Sequence, residues 1–477
     1  MSELRPFLLS GVPTTGAATL PVTSPWDGSL VAEVSVPTPE QVEQAVVDLD
    51  AVRLEAQALP AHVRAGALDH ISRRIEERSE EIAALITAEN GKPLMWARAE
   101  VARAVSTFRW AAEEARRFAG ELQRLDTDPG ATGRIAVVRR FPRGPVLGIA
   151  PFNFPLNLVA HKVAPAIAVG APILIKPAPA TPLTALLLGE IIAETDLPPR
   201  MVSVLPVPND AMGSLVADPR LPVISFTGSG PVGWSIQRQA PGKHITLELG
   251  GNAAVVVDRD WPDLAGAAAR IALFGNYQAG QSCIAVQRVL VHRDVYGEFT
   301  DALVAEVGKL TTGDPTADGV QVGPVINDVA AERITEWVDE ARAAGAAVLT
   351  GGTRDGRTVA PTVLAGVPAD AKVTTEEIFG PVLSVAPFGD IDEAFATVND
   401  SRFGLQAGVF TKDVGVAFRA HRDLEVGGVI IGDVPSFRAD QMPYGGWKES
   451  GVGREGLRSA MADLTEERTM VLTGLDL

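Results

Sequence analysis

The sequence has 477 residues, 21% of them charged and 46% apolar, and a formal net charge of −17. A chain this long suggests about two to three domains. The acidic balance argues against nucleic acid and anionic membrane surfaces, which demand clustered Lys and Arg. The one cysteine, Cys283, rules out an intramolecular disulfide and suits a reducing compartment.

The start, Met1 to Pro6, has no basic region leading into a long apolar core, so no signal peptide is read. The most apolar window, 156–175, is interrupted by His161, Lys162, Pro165, Gly170 and Pro172, too broken for a membrane span. The expectation is a soluble, cytoplasmic protein.

The first 36 residues are turn-rich, with a β-like run at 30–36. Thr38-Pro39-Glu40-Gln41 is a helix start, with Thr as N-cap, Pro at the first helical position and Gln at the third. Val42, Ala45, Val46, Leu49 and Val52 continue it at helical spacing. A second helix is expected over 61–87, stopping at Asn90-Gly91, and a third over 96–118. Ile135-Ala136-Val137-Val138 is a strand with basic ends.

From Pro145 the pattern changes. Short apolar runs at 145–150, 172–175, 201–205 and 222–226 alternate with helical segments at 159–168, 182–194 and 211–217. Apolar strands alternating with helices mean a parallel sheet covered on both faces. A second such series follows Cys283, with strands at 288–292, 347–350, 381–387, 407–410 and 428–431. The fold class is therefore α/β, as two units meeting between Phe226 and Cys283. The run 464–472 is a late strand, expected to join the Ile135 strand in a small association element.

Several short stretches carry possible chemistry. Cys283 follows a polar, small-residue break, Asn276-Tyr277-Gln278-Ala279, and is either a buried inert thiol or a nucleophile. Asn153, between Phe152 and Phe154 and flanked by prolines, lies past the end of a strand, where open α/β sheets bind ligands. Its amide suits a developing oxyanion; the alternative is an ordinary turn Asn. Gly228, Gly230 and Gly233 have the G-x-G-x-x-G spacing at a strand-to-helix turn, a weak signal alone and late in the βα series. Glu248 sits in an apolar strand ending at Gly250-Gly251, where desolvation suits a general base or a paired structural carboxylate. Lys176 ends a strand, and Glu377 with Phe379 precedes another.

Taken together, and in this order, these stretches resemble the signatures of the aldehyde dehydrogenase superfamily over nearly the whole chain. The matching stretches are Pro151-Phe152-Asn153-Phe154-Pro155, Phe226-Thr227-Gly228-Ser229, Leu247-Glu248-Leu249-Gly250-Gly251, Gly280-Gln281-Ser282-Cys283, Gly313-Asp314-Pro315, Glu377-Ile378-Phe379-Gly380-Pro381, Pro443-Tyr444-Gly445-Gly446 and Lys448-Glu449-Ser450-Gly451. The resemblance implies a Rossmann-like cofactor domain over 1–124 and 142–247 and an α/β catalytic domain over 248–428. It also implies a small β oligomerisation element from 125–141 and 460–477, a return segment over 429–459 lining the site, and a homodimer or homotetramer.

The resemblance further implies that Cys283 attacks an aldehyde to give a thiohemiacetal, with the Asn153 amide and the Cys283 N–H holding the alkoxide. Collapse reduces a nicotinamide cofactor, NAD or NADP, and leaves a thioester that Glu248 hydrolyses through water. Lys176, Gly228, Ser229, Gly233, Glu377, Phe379, Phe152 and Leu249 are the implied cofactor-binding residues, and no metal is called for. Many NAD-preferring members carry Glu three residues after the Lys; this chain has Pro179, which leaves room for a 2′-phosphate. A strand that often ends in Asn here ends in Gly432-Asp433.

The stretch Val434-Pro435-Ser436-Phe437-Arg438 resembles a branch near lactaldehyde, succinic semialdehyde and phosphonate-aldehyde dehydrogenases. On that basis Arg438, with Arg109, is expected to favour a small anionic aldehyde, the alternative being a structural ion pair. The rival readings are a CoA-acylating dehydrogenase, a cysteine hydrolase or acyltransferase, and a catalytically silent protein of the same fold.

Overall fold

The computed structural model describes residues 4–476. Met1 to Glu3, part of the leader reading, and Leu477, the end of the expected association element, lie outside the described residues.

Two large sheets carry the chain. The first runs, in spatial order, Gly451–Val452, His244–Glu248, Val223–Thr227, Val146–Ile149, Ile173–Lys176, Val202–Val204, Phe7–Leu9 and Val12–Thr14. Its five central strands are parallel, and the short outer strands are antiparallel. Helices on both faces keep these strands dry, so they read as unbroken apolar runs; Ile173, Leu174 and Ile175 are all fully buried. From Val146–Ile149 the chain steps outward to Ile173–Lys176 and Val202–Val204 on one side. It then returns to Val223–Thr227 and His244–Glu248 on the other. The strand order therefore reverses between Val146–Ile149 and Val223–Thr227, and a crevice opens at their carboxyl ends.

The chain crosses to the second sheet over 249–253. This sheet runs Ala347–Thr350, Thr362–Ala365, Val382–Phe388, Arg288–His292, Ala254–Val257, Gln406–Phe410 and Gly428–Ile431, parallel except for the first. The third sheet is antiparallel: Thr465–Thr473 pairs with Arg134–Pro142 over its whole length, and Glu121–Arg124 lies on the far side. It carries exposed Leu122, Met470, Val471 and Leu472.

Helix starts follow the chemistry of their sequences. Thr38 and Gln41 form the expected reciprocal capping box at Pro39–Ala58. The helix expected over 61–87 is two, Ala61–Glu77 and Ser79–Asn90, hinged at Arg78 (φ −103°, ψ 20°). The second of these ends at Gly91, whose φ of 75° suits a residue without Cβ. Leu94–Arg117 buries Ala97, Val101, Ala104, Phe108, Ala111 and Ala115 at helical spacing. Among the described residues, no helix is long and apolar enough to cross a membrane.

Candidate active site

Cys283 follows a tight turn at Tyr277–Gly280 that the backbone reaches only through left-handed geometry. Gln278 (φ 42°) and Ala279 (φ 58°) adopt it without being glycine, at a cost of about 1–3 kcal/mol each. Gly280 (φ 68°) must be glycine, because a Cβ would enter the backbone of Gly380. Side chains brace the turn: Gln278 Nε2 donates to the Gln281 carbonyl at 2.8 Å, and Tyr277 Oη and Ser282 Oγ lie 2.5 Å apart. Cys283 Sγ lies 3.2 Å from the Tyr444 hydroxyl. Burial pushes the thiol up to about 12, and the Tyr444 hydrogen bond works the other way.

Asn153 sits in the loop between Val146–Ile149 and the helix Asn157–Val169. It is buried, and its Nδ2 donates to the Gln281 carbonyl at 3.0 Å. An amide nitrogen carries two hydrogens, so one remains. The loop is held from behind. Asn90 Nδ2 donates to the Phe152 carbonyl at 2.8 Å, and Glu100 Oε1 accepts from the N–H groups of Leu156 and Asn157.

Glu248 ends its strand, 3% exposed, with neither carboxylate oxygen hydrogen-bonded. Burial, then the nearby Glu455 carboxylate, push its proton affinity well up, while Arg438, Lys162 and Arg454 oppose. Burial also favours the proton on Glu455, but Lys162 and Arg438 outweigh it and hold Glu455 ionised. Arg438 Nη2 pairs with Glu455 Oε2 at 2.9 Å, and its guanidinium stacks 3.8 Å from the Tyr444 ring centre.

A cavity of about 910 Å³ connects these groups, at the upper end of the ~300–1,000 Å³ range of ligand pockets. Asn153, Glu248 and Cys283 line it together with Lys176, Pro179, Ser229, Glu377 and Phe379. Its position at the reversal of strand order is where doubly wound sheets bind dinucleotides. The residues present fit one. Ser229 caps the helix Gly230–Gln239 yet its hydroxyl makes no capping bond, which leaves the helix start free for a pyrophosphate. Gly228 lines the cavity, and a Cβ there would strike the Phe226 ring. Lys176 Nζ donates to Asn209 Oδ1 at 2.5 Å, and burial brings its ammonium down to about 8. Glu377 Oε1 accepts from the Gly251 N–H at 3.0 Å; burial pushes this carboxyl up to about 7. Phe379 (φ 48°) stacks edge-on against Phe152 at 5.9 Å.

Thus Cys283, Glu248, Asn153, Lys176, Gly228, Ser229, Glu377, Phe379, Phe152 and Leu249 all line one cavity. Three residues from the sequence reading do not. Gly233 packs beneath it, where a Cβ would sit 2.5 Å from the Leu249 side chain. Arg438 is buried in its ion pair with Glu455, the structural alternative weighed above. Arg109 lies on the exposed side of its helix, one position beyond the buried Phe108. The arginine of that helix that reaches the return segment is Arg103, whose Nη2 donates to Asp440 at 3.1 Å. The sequence reading also missed Tyr444, Lys162, Glu455 and Arg103. The first lay within a quoted signature, and the others are charges that only the fold brings together.

A dinucleotide crevice ending at a cysteine belongs to oxidoreductases that work through a covalent thiol. Comparison with known proteins narrows this. The model of the aldehyde dehydrogenase family matches residues 12–470, and the chain belongs to that family, as an NAD(P)-dependent enzyme. It is 40% identical over 460 residues to 3-sulfolactaldehyde dehydrogenase of Priestia aryabhattai, covering 96% of each chain. Among solved structures it resembles aldehyde dehydrogenase 21 of Physcomitrella patens in complex with the product succinate. There the TM-score is 0.98 and the identity 42%, over 100% of this chain and 99% of that one. It also resembles NADP-dependent glyceraldehyde-3-phosphate dehydrogenase of Bacillus halodurans complexed with NADP, with TM-score 0.95 and 33% identity over 99% and 100% of the two chains.

Proposed function

We propose that this enzyme oxidises a small anionic aldehyde to its carboxylic acid through a thiohemiacetal and then a thioester on Cys283. The observation that carries the reading is the single cavity lined by Cys283, Asn153, Glu248 and the dinucleotide-binding set. In this reading Cys283 Sγ bonds to the aldehyde carbon. The remaining Asn153 amide hydrogen and the Cys283 N–H hold the oxygen as it gains charge. The dinucleotide, when bound, supplies the acceptor for the two electrons and the proton of the aldehyde C–H bond. Phe379 and Glu377 orient it, and Lys176 and Ser229 bind its other end. Glu248 takes a proton from the water that cleaves the thioester, and its unpaired carboxylate favours water over CoA as the acyl acceptor.

The similar proteins are named for a sulfonate aldehyde, a phosphate aldehyde and a complex with succinate, which supports an anionic substrate. Pro179 and Lys176 leave the adenosine-ribose end of the cavity without a lining carboxylate among the described residues, which supports use of NADP as well as NAD. The exposed apolar side chains of the third sheet support association into dimers or tetramers, and the single free cysteine supports a cytoplasmic setting.

The test is absorbance of the reduced nicotinamide with a panel of anionic and neutral aldehydes, with NAD and with NADP, for wild type and Cys283→Ala. Turnover favouring anionic aldehydes and absent in the variant is expected. Turnover retained by the variant overturns the reading, and cofactor-independent ester cleavage alone points to a hydrolase.

A further inference from the structure

The return segment, 429–459, contributes no residue to the cavity lining. It delivers a phenol to the nucleophile. Tyr444 is 4% exposed, its hydroxyl lies 3.2 Å from Cys283 Sγ, and it makes no other side-chain hydrogen bond. The guanidinium of Arg438 stacks on its ring at 3.8 Å, and Glu455 Oε2 pins that guanidinium at 2.9 Å. Tyr444 and Glu455 also exchange backbone hydrogen bonds, N–H to carbonyl in both directions, at 3.0 and 2.7 Å. Lys162 Nζ approaches Glu455 Oε1 at 3.5 Å from the opposite side. The phenol therefore has one place to point.

We propose that Tyr444 is a catalytic residue, donating its phenolic hydrogen to Cys283 Sγ whenever the sulfur carries charge, and that Arg438 is the positioning residue that holds it there. This rests on Cys283 as the nucleophile. The sulfur carries charge twice per turnover. It does so before it attacks the aldehyde, and again when water cleaves the thioester. In that second step the new C–O bond forms, the water's proton passes to Glu248, the C–S bond breaks, and the sulfur keeps the electron pair. A phenol is an apt donor because it stays protonated beside a thiolate. Burial, then the neighbouring thiolate itself, push its own ionisation well up. A positive guanidinium over the ring face makes the O–H a stronger donor.

The groups facing the thiol come from four elements. They are Tyr444 and Arg438 of the return segment, Glu248 at its strand end, Glu377 before Val382–Phe388, and Tyr277 of the turn. Both carboxylates raise the thiol and Arg438 lowers it, so the Tyr444 contribution is separable by substitution.

The experiment is the rate of alkylation of the full-length protein by iodoacetamide from pH 7 to 10, without nucleotide. Cys283 is the sole cysteine, so the loss of titratable thiol reports this sulfur alone. Tyr444→Phe keeps the ring and its stack. It is expected to slow alkylation at pH 8 about tenfold and move the profile to higher pH, the scale of a hydrogen bond to a charged group. kcat should fall by a similar factor with KM unchanged. Arg438→Lys keeps a charge for Glu455 but loses the planar stack, and should shift the profile in the same direction by less. An alkylation profile identical to wild type in folded Tyr444→Phe overturns the proposal. That result is distinct from failure of the functional reading, which shows as turnover surviving in Cys283→Ala.

Discussion

Glu100 and Lys92 form an ion pair wholly out of solvent, and their other contacts converge on the loop that carries Asn153. Glu100 Oε1 accepts from the N–H groups of Leu156 and Asn157 at 2.9 and 3.0 Å, which caps the helix leaving that loop. Lys92 Nζ lies 4.1 Å from the centre of the Phe154 ring. A buried pair of this kind adds little net stability, but removing one member strands the other.

Glu100→Met, which removes both the charge and the oxygen that accepts from the loop, is therefore expected to destabilise the protein by about 3–5 kcal/mol. Lys92→Met should cost less, because Glu100 keeps both backbone donors. Urea unfolding followed by tryptophan fluorescence measures both. Equal losses in the two variants show that capping of the Asn153 loop contributes nothing beyond the ion pair.

The sequence made the strand series legible because both faces of each sheet are buried, so apolar runs such as Ile173–Lys176 have no polar face to confuse with a helix. That Asn153, Glu248 and Cys283 share one cavity was legible because each sits at a strand end or turn with its own local chemistry: Asn153 between aromatics, Glu248 before paired glycines, Cys283 after a polar break. The charged partners behind them were not. Lys162 lies in a helix that reads as continuous core, and its partner Glu455 is 293 residues away along the chain. Arg438 looked like a substrate contact because its loop was expected to line the site. The loop does approach it, since Ser436 Oγ donates to the Ile284 carbonyl at 2.7 Å, but the guanidinium turns inward to Glu455. Nothing in local spacing reveals that choice, which depends on a buried carboxylate arriving from another segment. The late G-x-G-x-x-G spacing makes sense only once strand order is known. Val223–Thr227 comes late in sequence yet lies beside Val146–Ile149, at the reversal point.

Glu248→Gln tests the assignment of the base. The two side chains are nearly isosteric, and neither oxygen of Glu248 has a hydrogen-bond partner to lose. Rapid mixing with aldehyde and dinucleotide should give a burst close to one equivalent of reduced nicotinamide per Cys283. Steady-state turnover should then fall about 10²–10⁴-fold, the usual weight of a positioned base. Loss of the burst itself puts Glu248 in the acylation step instead. In the wild type, the raised proton affinity of Glu248 means that turnover climbs with pH as the carboxylate ionises.

Pro179→Glu tests how the ribose end of the cavity reads the cofactor. Pro179 lines the cavity near Lys176 and Asn209 and brings no charge. A carboxylate there repels a 2′-phosphate and accepts hydrogen bonds from ribose hydroxyls. The ratio of kcat/KM for NADP over NAD should fall by at least about tenfold, or ~1.4 kcal/mol. An unchanged ratio means that position 179 does not face the ribose in the complex.

Glu377 and Lys176 set a pH window for dinucleotide binding. Glu377 ionises at about 7 and Lys176 loses its proton at about 8, both because of burial. The ionised Glu377 accepts from the nicotinamide-ribose hydroxyls in this reading, so affinity rises as pH climbs to 7, by about tenfold per unit well below it. The charged Lys176 attracts the anionic end, so affinity falls as pH climbs past 8. The sign for stability is the reverse at Glu377. Its folded value lies above its ordinary 4.5, so its contribution is full below 4.5 and lost as pH rises through 7. Bound dinucleotide, by favouring the ionised form, should pull its ionisation below 7. Titrations followed by quenching of tryptophan fluorescence should give tightest binding between about pH 7 and 8. Glu377→Gln should flatten the acid limb and leave the alkaline one, and Lys176→Met should do the converse. An acid limb that survives in Glu377→Gln assigns it to another group and removes Glu377 from the ribose.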